Sequence, residues 1–256
     1  MIAAMLLAAA ATTGQQPICP DRPSKANGAC TVPAGHVQLE TGLIDWTRDK
    51  TGGVRSDLVQ WGGTFVKYGL GPKSDIELGI TPLETLGIRS GGQRDRASGF
   101  GDIAVRWKRG LTDESAPMQA AAIPFIKLPT AAHGLGNGKV EAGITVPVSA
   151  ALGKTGLTVT LGPELDLKTD ADGHGYHAAM AQLINFGLTA TSRLSLSGEL
   201  WAGWDWDPRE TSKQASADAS VAYLVTSDFQ LDAGTNFGLN PQTADLELYA
   251  GVSKRF

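Results

Sequence analysis

The chain lacks the long apolar runs of a helical membrane protein. Beyond its first residues no stretch approaches eighteen uninterrupted apolar positions, so a helical span is excluded. It also lacks a basic excess. Lys and Arg number 22 against 26 Asp and Glu, a net charge of −4, which argues against a nucleic-acid binder. Charged residues make up 19%, below the usual quarter, while 42% are aliphatic or aromatic, so the disordered class is excluded too. There are two cysteines and four histidines. Two thiols without a nearby His pair do not make a zinc site, and no metal site is expected. No G-x-S-x-G or comparable signature is present, and catalytic residues and cofactors are both read as none. GLGNG at 134–138 has no strand–helix context and reads as a flexible loop. Helical periodicity is nearly absent beyond the first residues.

What the chain has is glycine, 32 of 256 residues, without a G-X-Y period. Spread among Trp, Tyr, Thr and Val, it points to many short strands and turns. Met1 to Ala11 form an apolar run ending in small residues, as in a secretory signal. The positively charged n-region is missing, so the expectation is a signal peptide over 1–14 whose true start is truncated or mis-assigned; a disordered N-terminus is the alternative. Cys19 and Cys30 precede the first strand-like segment. In an oxidising compartment a pair this close can form a local disulfide, with two free thiols as the alternative. Gln-Pro-Ile before Cys19 lacks the small residues that precede a lipidated cysteine. Residues 15–34 are therefore expected as a periplasmic N-terminal segment carrying the Cys pair, followed by a β-domain over 35–256.

Period-two alternation runs through nearly all of the remainder. In 157–168, Leu157, Val159, Leu161, Leu165 and Leu167 oppose Thr158, Thr160, Glu164, Asp166 and Lys168. Ile76, Leu78 and Ile80 oppose Asp75, Glu77 and Thr81; Ile103, Val105 and Trp107 oppose Asp102, Arg106 and Lys108. The same pattern marks 141–152, 194–206, 215–225, 229–239 and the last strand. Segments 36–47, 57–70, 118–128 and 175–188 alternate less cleanly. In 57–70, placing Lys67 on the polar face also puts Trp61 and Phe65 there, and periodicity does not settle those two. The count is twelve strands of about 9 to 13 residues, the length of a tilted bilayer span. Tight connections (GPKS, GKTG, TATS, TSD) alternate with mostly longer ones, the longest being 82–99.

A soluble sandwich also alternates. Here, however, the polar face carries one or two charges per strand among Gly, Ser and Thr, which suits a water-filled lumen. The apolar face is uncharged, as lipid demands. In lipid every backbone group must pair internally, so the sheet must close. The fold expected is all-β, a transmembrane antiparallel up-and-down β-barrel of about 12 strands in the bacterial outer membrane. Trp46, Tyr68, Trp107, Tyr176, Trp204, Trp206 and Phe256 near strand ends would form interfacial girdles. The terminal GVSKRF resembles the signal that barrel-assembly machinery reads through a closing Phe, here Phe256, with Lys254 departing from the usual apolar residue.

VQLETG at 37–42, KYGLGPKSDIELGI at 67–80, GFGDIAVRWK at 99–108, IKLPT at 126–130, NFGL at 236–239 and GVSKRF at 251–256 together resemble a bacterial outer-membrane family. It is the one named for the MetA pathway of phenol degradation and often labelled transporter. The resemblance implies a β-barrel passing small organic molecules, aromatic ones included. It brings no defined ligand residues.

The candidate pore-lining residues are the polar-face charges. Acids are Glu40, Glu77, Asp102, Glu141, Glu164, Asp166, Glu199, Asp218, Asp232, Asp245 and Glu247; bases are Lys67, Arg106, Lys108, Lys168 and Arg255. Rings of charge tune selectivity, and the acid excess predicts a mild cation preference in an open pore. Alternatively, acids and bases pair across the lumen and close it. TDADGHG at 169–175 offers Asp170, Asp172 and His174 with only part of a calcium loop's spacing and reads as a solvated outer turn. His177 near a strand start leaves room for a Ser/His dyad. The function expected is a passive outer-membrane channel for small, aromatic or hydrophobic, organic molecules. The alternative is a non-conducting barrel acting as an enzyme or as a structural or adhesive protein. The partners expected are outer-membrane lipid, a small solute and the assembly machinery.

Overall fold

A computed structural model of the chain describes residues 17–113 and 115–256. The expected signal peptide over 1–14 lies outside the described residues. The fold is sixteen strand segments: β1 (Val37–Thr51), β2 (Val54–Gly71), β3 (Ser74–Ile80), β4 (Leu83–Ser90), β5 (Gln93–Gly99), β6 (Ile103–Gly110), β7 (Met118–Leu128), β8 (Glu141–Thr145), β9 (Val148–Ala151), β10 (Leu157–Leu161), β11 (Glu164–Thr169), β12 (Tyr176–Thr189), β13 (Leu194–Trp206), β14 (Thr211–Thr226), β15 (Phe229–Gly238) and β16 (Leu246–Arg255). All named pairings are antiparallel, and β1 pairs with both β16 and β2, which closes the sheet.

These segments make twelve barrel strands, because four strands are each interrupted once. β3 and β4 both pair with β2, one with its lower half and one with its upper half. β5 and β6 pair with β4 and β3 in the same way. The interruption between β8 and β9 holds Pro147 and that between β10 and β11 holds Pro163. Proline lacks the N–H a ladder needs. Neighbouring groups carry the pairing across: Ala121 N donates to Pro147 O (3.1 Å) and Val146 N to Pro163 O (2.9 Å).

Residues 82–99 are not the long loop the sequence suggests. They are a hairpin that prolongs barrel strands three and four upward, turning at Gly91–Gly92 with φ of 54° and 85°. Gly52–Gly53 (φ 59° and 79°) close strands one and two likewise. Two consecutive positive-φ residues are what a hairpin turn matched to strand twist requires. The mixed polar sequence of 82–99 does not alternate cleanly, yet its backbone is satisfied by β2.

The two aromatic residues left open by periodicity are separated by a bulge. Between Gly42 and Ile44 the register against β16 shifts by one residue, and Gly62 takes φ 67°. Leu43 and Ile44 both face outward, at 53% and 36% exposure. Below the bulge Glu40 and Lys67 point inward; above it Asp45 and Gln60 do. Trp61 therefore meets lipid, while Phe65 lies in the lumen beneath Arg106, whose guanidinium is 4.8 Å from the ring centre.

Burial is inverted relative to a soluble protein. Leu165, Leu200, Leu167 and Phe186 are each at least half exposed, whereas Glu77 and Ser253 are 0% and Lys67, Lys108 and Asp75 are 1% exposed. A soluble sandwich would place these the other way round, so the apolar belt is a lipid face. Tyr68 and Trp107 mark one edge of the belt, and Tyr176 and Trp206 the other; all four are exposed.

Candidate functional site: a plugged lumen

The residues expected outside the barrel, on its periplasmic side, lie largely inside it. The segment from Ile18 to Val32 occupies the lumen, and the reason is electrostatic. The wall offers it bases on one side, set among the acids Glu40 and Glu77, and acids on the other. Lys67, Arg106 and Lys108 lie on β2 and β6, while Glu199, Asp218 and Asp232 lie on β13, β14 and β15. The segment carries the complement. Asp21 pairs with Lys67 and with Lys108 (2.6 Å), and lies 3.5 Å from Arg106. Arg22 reaches Asp232 (3.0 Å), and Lys25 reaches Asp218 (2.9 Å) and Ser216 (2.7 Å). Arg22 and Lys25 also lie over the rings of Tyr249 and Trp201, at 5.8 and 5.0 Å.

Backbone bonds tie the segment down between these pairs. Asp21 N and Arg22 N donate to Glu40 Oε2 (2.9 and 3.1 Å), Ala26 N to Glu199 Oε2 (3.1 Å), and Val32 N to Asp75 Oδ2 (2.8 Å). Ile18 N donates to Ser227 O at a turn end of the barrel (2.7 Å). Cys19 and Cys30 form a disulfide that closes a loop around Asp21, Arg22, Lys25 and Ala26. Where the chain leaves the lumen, Gly69 lets it pass. A Cβ there would run into the Pro33 carbonyl oxygen. Burial disfavours the charged form of the Asp21 carboxyl, but Lys108, Lys67 and Arg106 outweigh this and hold its pKa well below the usual carboxylate range.

Most candidate pore residues are found in paired positions. Glu40 sits 2.6 Å from Lys67, and Glu77 3.0 Å from Arg106 and 3.7 Å from Lys108. Asp102 (3.2 Å) and Glu141 (3.0 Å) share Lys127. Glu164 accepts from the Thr145 hydroxyl (2.6 Å), Glu247 from Asn236 (2.6 Å) and Glu199 from Asn185 (3.1 Å). Lys168 bonds Asp205 (2.6 Å) and Arg255 bonds Asp228 (2.8 Å). Asp166 is half-buried against Gly143. Asp245 is exposed just before β16, off the lumen wall.

Asp21, Arg22 and Lys25 were missed as site residues. Their only sequence signal is that three charges sit between two cysteines.

Barrel strands five to eight make few of these contacts. Their inward residues include Ala121, Ile123, Pro147, Ala179, Ala181 and Leu183, all buried. These apolar positions share the inward face of the same strands with Lys127, Glu141, Glu164, Lys168 and His177, so the lumen is polar here too, but the segment is gripped mainly from the other strands. Between the segment and strands one to four lies a cavity of about 370 Å³, lined by Asp21, Arg22, Asp45, Gln60, Phe65, Ile80 and Arg106 among others.

At the rim, Asp170 pairs with His177 rather than with Asp172 and His174 of its own loop. His177 Nδ1 is 2.8 Å from Asp170 and Nε2 is 2.6 Å from Asp205. Both ring nitrogens are taken by carboxylates, so no serine–histidine dyad forms there.

A closed twelve-stranded barrel with an apolar outer belt and a plugged polar lumen defines a bacterial outer-membrane β-barrel protein. The chain belongs to the family described as "Putative MetA-pathway of phenol degradation", which matches residues 20–256. Among solved structures, an outer membrane channel from Pseudomonas putida F1 aligns with a TM-score of 0.73 at 13% identity, covering 91% of this chain and 100% of that one. The translocator domain of the autotransporter NalP from Neisseria meningitidis aligns more loosely, at a TM-score of 0.48 and 14% identity over 88% and 90% of the chains. So does the monoaromatic hydrocarbon channel CymD, at 0.48 and 8% over 88% of each. No curated protein sequence matches the chain.

Proposed function

We propose that the protein is an outer-membrane channel for small organic molecules, closed at rest by its own N-terminal segment. The observation that carries this is the salt-bridged segment in the lumen, with a cavity beside it. A purely structural barrel needs no removable occupant, whereas a gated channel does.

Apolar and aromatic solutes fit this reading better than hydrophilic ones. Leu58, Leu86, Ile88 and Ala97 face inward on the projecting strands above the cavity, as their alternation with outward Asp57, Gly87 and Arg96 requires. The cavity below offers Phe65 and Ile80 beside polar groups that would orient a hydroxyl. Among solved barrels of this fold, the Pseudomonas putida protein is itself called an outer membrane channel.

The test is single-channel conductance of the refolded chain in a planar bilayer, beside influx of an aromatic alcohol into liposomes. The intact protein should conduct rarely, in brief openings. Arg22→Ala with Lys25→Ala should conduct more often and speed influx. A folded double variant that neither conducts nor passes the solute would favour the structural reading.

A further inference from the structure

At the end of the barrel that carries the loops 129–140, 170–175, 207–210 and 239–245, the outer wall of strands one to four changes character over a few cross-strand rows. Register sets Ile44, Trp61 and Leu83 side by side, and these form the last apolar row facing lipid. The next outward row is Trp46, Val59, Thr85 and Ser98. Beyond it come Arg48, Asp57, Gly87 and Arg96, then Lys50, Arg55, Arg89 and Arg94. Rows on one face are about 7 Å apart along a strand, so the cations stand just above the aromatic belt.

The charges are segregated by face. At the same height, the inward rows between these hold Asp45, Asp49, Glu84 and Asp95 and no base. Outward, Asp57 is the one acid of those two rows, and it binds Arg48 (2.9 Å) and Arg55 (2.7 Å). Arg48 also lies 4.4 Å over the Trp46 ring, at belt height. Lys50, Arg89, Arg94 and Arg96 are exposed and form no ion pair with any described residue. Like charges directly opposite in a sheet are destabilising, so folding alone does not favour this row. An anion laid across it would.

We propose that this face binds the phosphate groups of the phosphorylated glycolipid of the outer leaflet. The guanidinium fork matches phosphate with two parallel hydrogen bonds. Clusters of Lys and Arg at a membrane surface recognise anionic headgroups. Four strands about 4.8 Å apart spread the row over roughly 14 Å, wide enough to meet more than one phosphate. The outward aim and the height beside the aromatic belt favour a lipid of the same membrane over a soluble polyanion.

The test titrates the refolded full chain, in zwitterionic micelles, with deep-rough lipopolysaccharide and with the same glycolipid after phosphate removal, following tryptophan fluorescence. Phosphate removal should weaken binding at least tenfold, and added salt should weaken binding of the phosphorylated form. R89A/R94A/R96A should lose tenfold or more while keeping heat-modifiable migration. R89K/R94K/R96K should bind more weakly than the intact protein but more tightly than the alanine variant, because an ammonium meets phosphate as a point charge without the fork. Arg193→Ala, in the turn after β12, should change nothing. If the triple alanine variant does not fold, Arg94→Gln and Arg96→Gln singly should each weaken binding several-fold. Equal binding of the dephosphorylated glycolipid would overturn the proposal. So would unchanged binding by folded variants, or binding of inorganic phosphate or single-stranded DNA as tight as that of the glycolipid.

Discussion

At the residue scale the protein turns on a few buried charges. Asp21 meets Lys67, Lys108 and Arg106 at once, and the two lysines are almost fully buried. Removing one partner of a buried pair costs about 3–5 kcal/mol, because the other charge is left without compensation. Asp21→Asn should therefore loosen the segment and raise the open probability in bilayer recordings; an unchanged record would show that Asp21 does not hold it. The same pair sets the response to acid. The folded pKa of Asp21 lies below its unfolded value of about 3.9, so its stabilisation is complete above that pH and is lost only as the pH falls beneath it. Conductance should be alike at about pH 5 and pH 7 as far as Asp21 governs it. Opening on mild acidification would assign the gate to another group.

At the element scale the segment behaves as a small cross-linked unit. The Cys19–Cys30 disulfide encloses Asp21, Arg22, Lys25 and the backbone donor Ala26. A short-loop disulfide contributes about 2–4 kcal/mol, mostly by limiting the freed state. Cys19→Ser with Cys30→Ser, or reduction of the intact protein, should lengthen open times without changing heat-modifiable migration. Gly69→Ala tests the segment's exit. Its new Cβ would meet Pro33 O, so Pro33 must move. The expected result is more frequent conductance from a barrel that still folds, since β2 pairs with β1 and β3 on either side of that residue. Loss of folding instead would mean that Gly69 serves the strand and not the segment.

At the scale of the whole molecule, Glu164→Gln with Asp166→Asn should lower cation preference in whatever openings occur. These acids lie on β11, and among the described residues they form no ion pair with the segment. Reversal-potential measurements in a salt gradient read this directly, and no change would place the ion path elsewhere.

The alternating segments made the strands and their lipid faces legible, because a period of two has a single structural reading once the polar face bears charge. The upper halves of strands three and four were not legible. Gly, Arg, Ser and Gln at 82–99 carry turn chemistry, and only pairing with an already long β2 makes them strand. Trp61 and Phe65 were ambiguous for a related reason. The bulge at Gly42–Ile44 is a relation between β1 and β16, invisible along either strand alone.

The sequence by itself determined a closed outer-membrane barrel of twelve strands, since alternation selects two faces and lipid forbids an open edge. It also placed charge on the inner wall. Tertiary structure alone decided whether that charge lines a pore or grips an occupant. Asp21 lies 46 residues from Lys67 in the chain, and Arg22 lies 210 from Asp232. No periodicity within a strand encodes a meeting of groups so far apart. It follows from which wall groups the closed barrel brings within reach of the segment, bases for Asp21 and acids for Arg22 and Lys25.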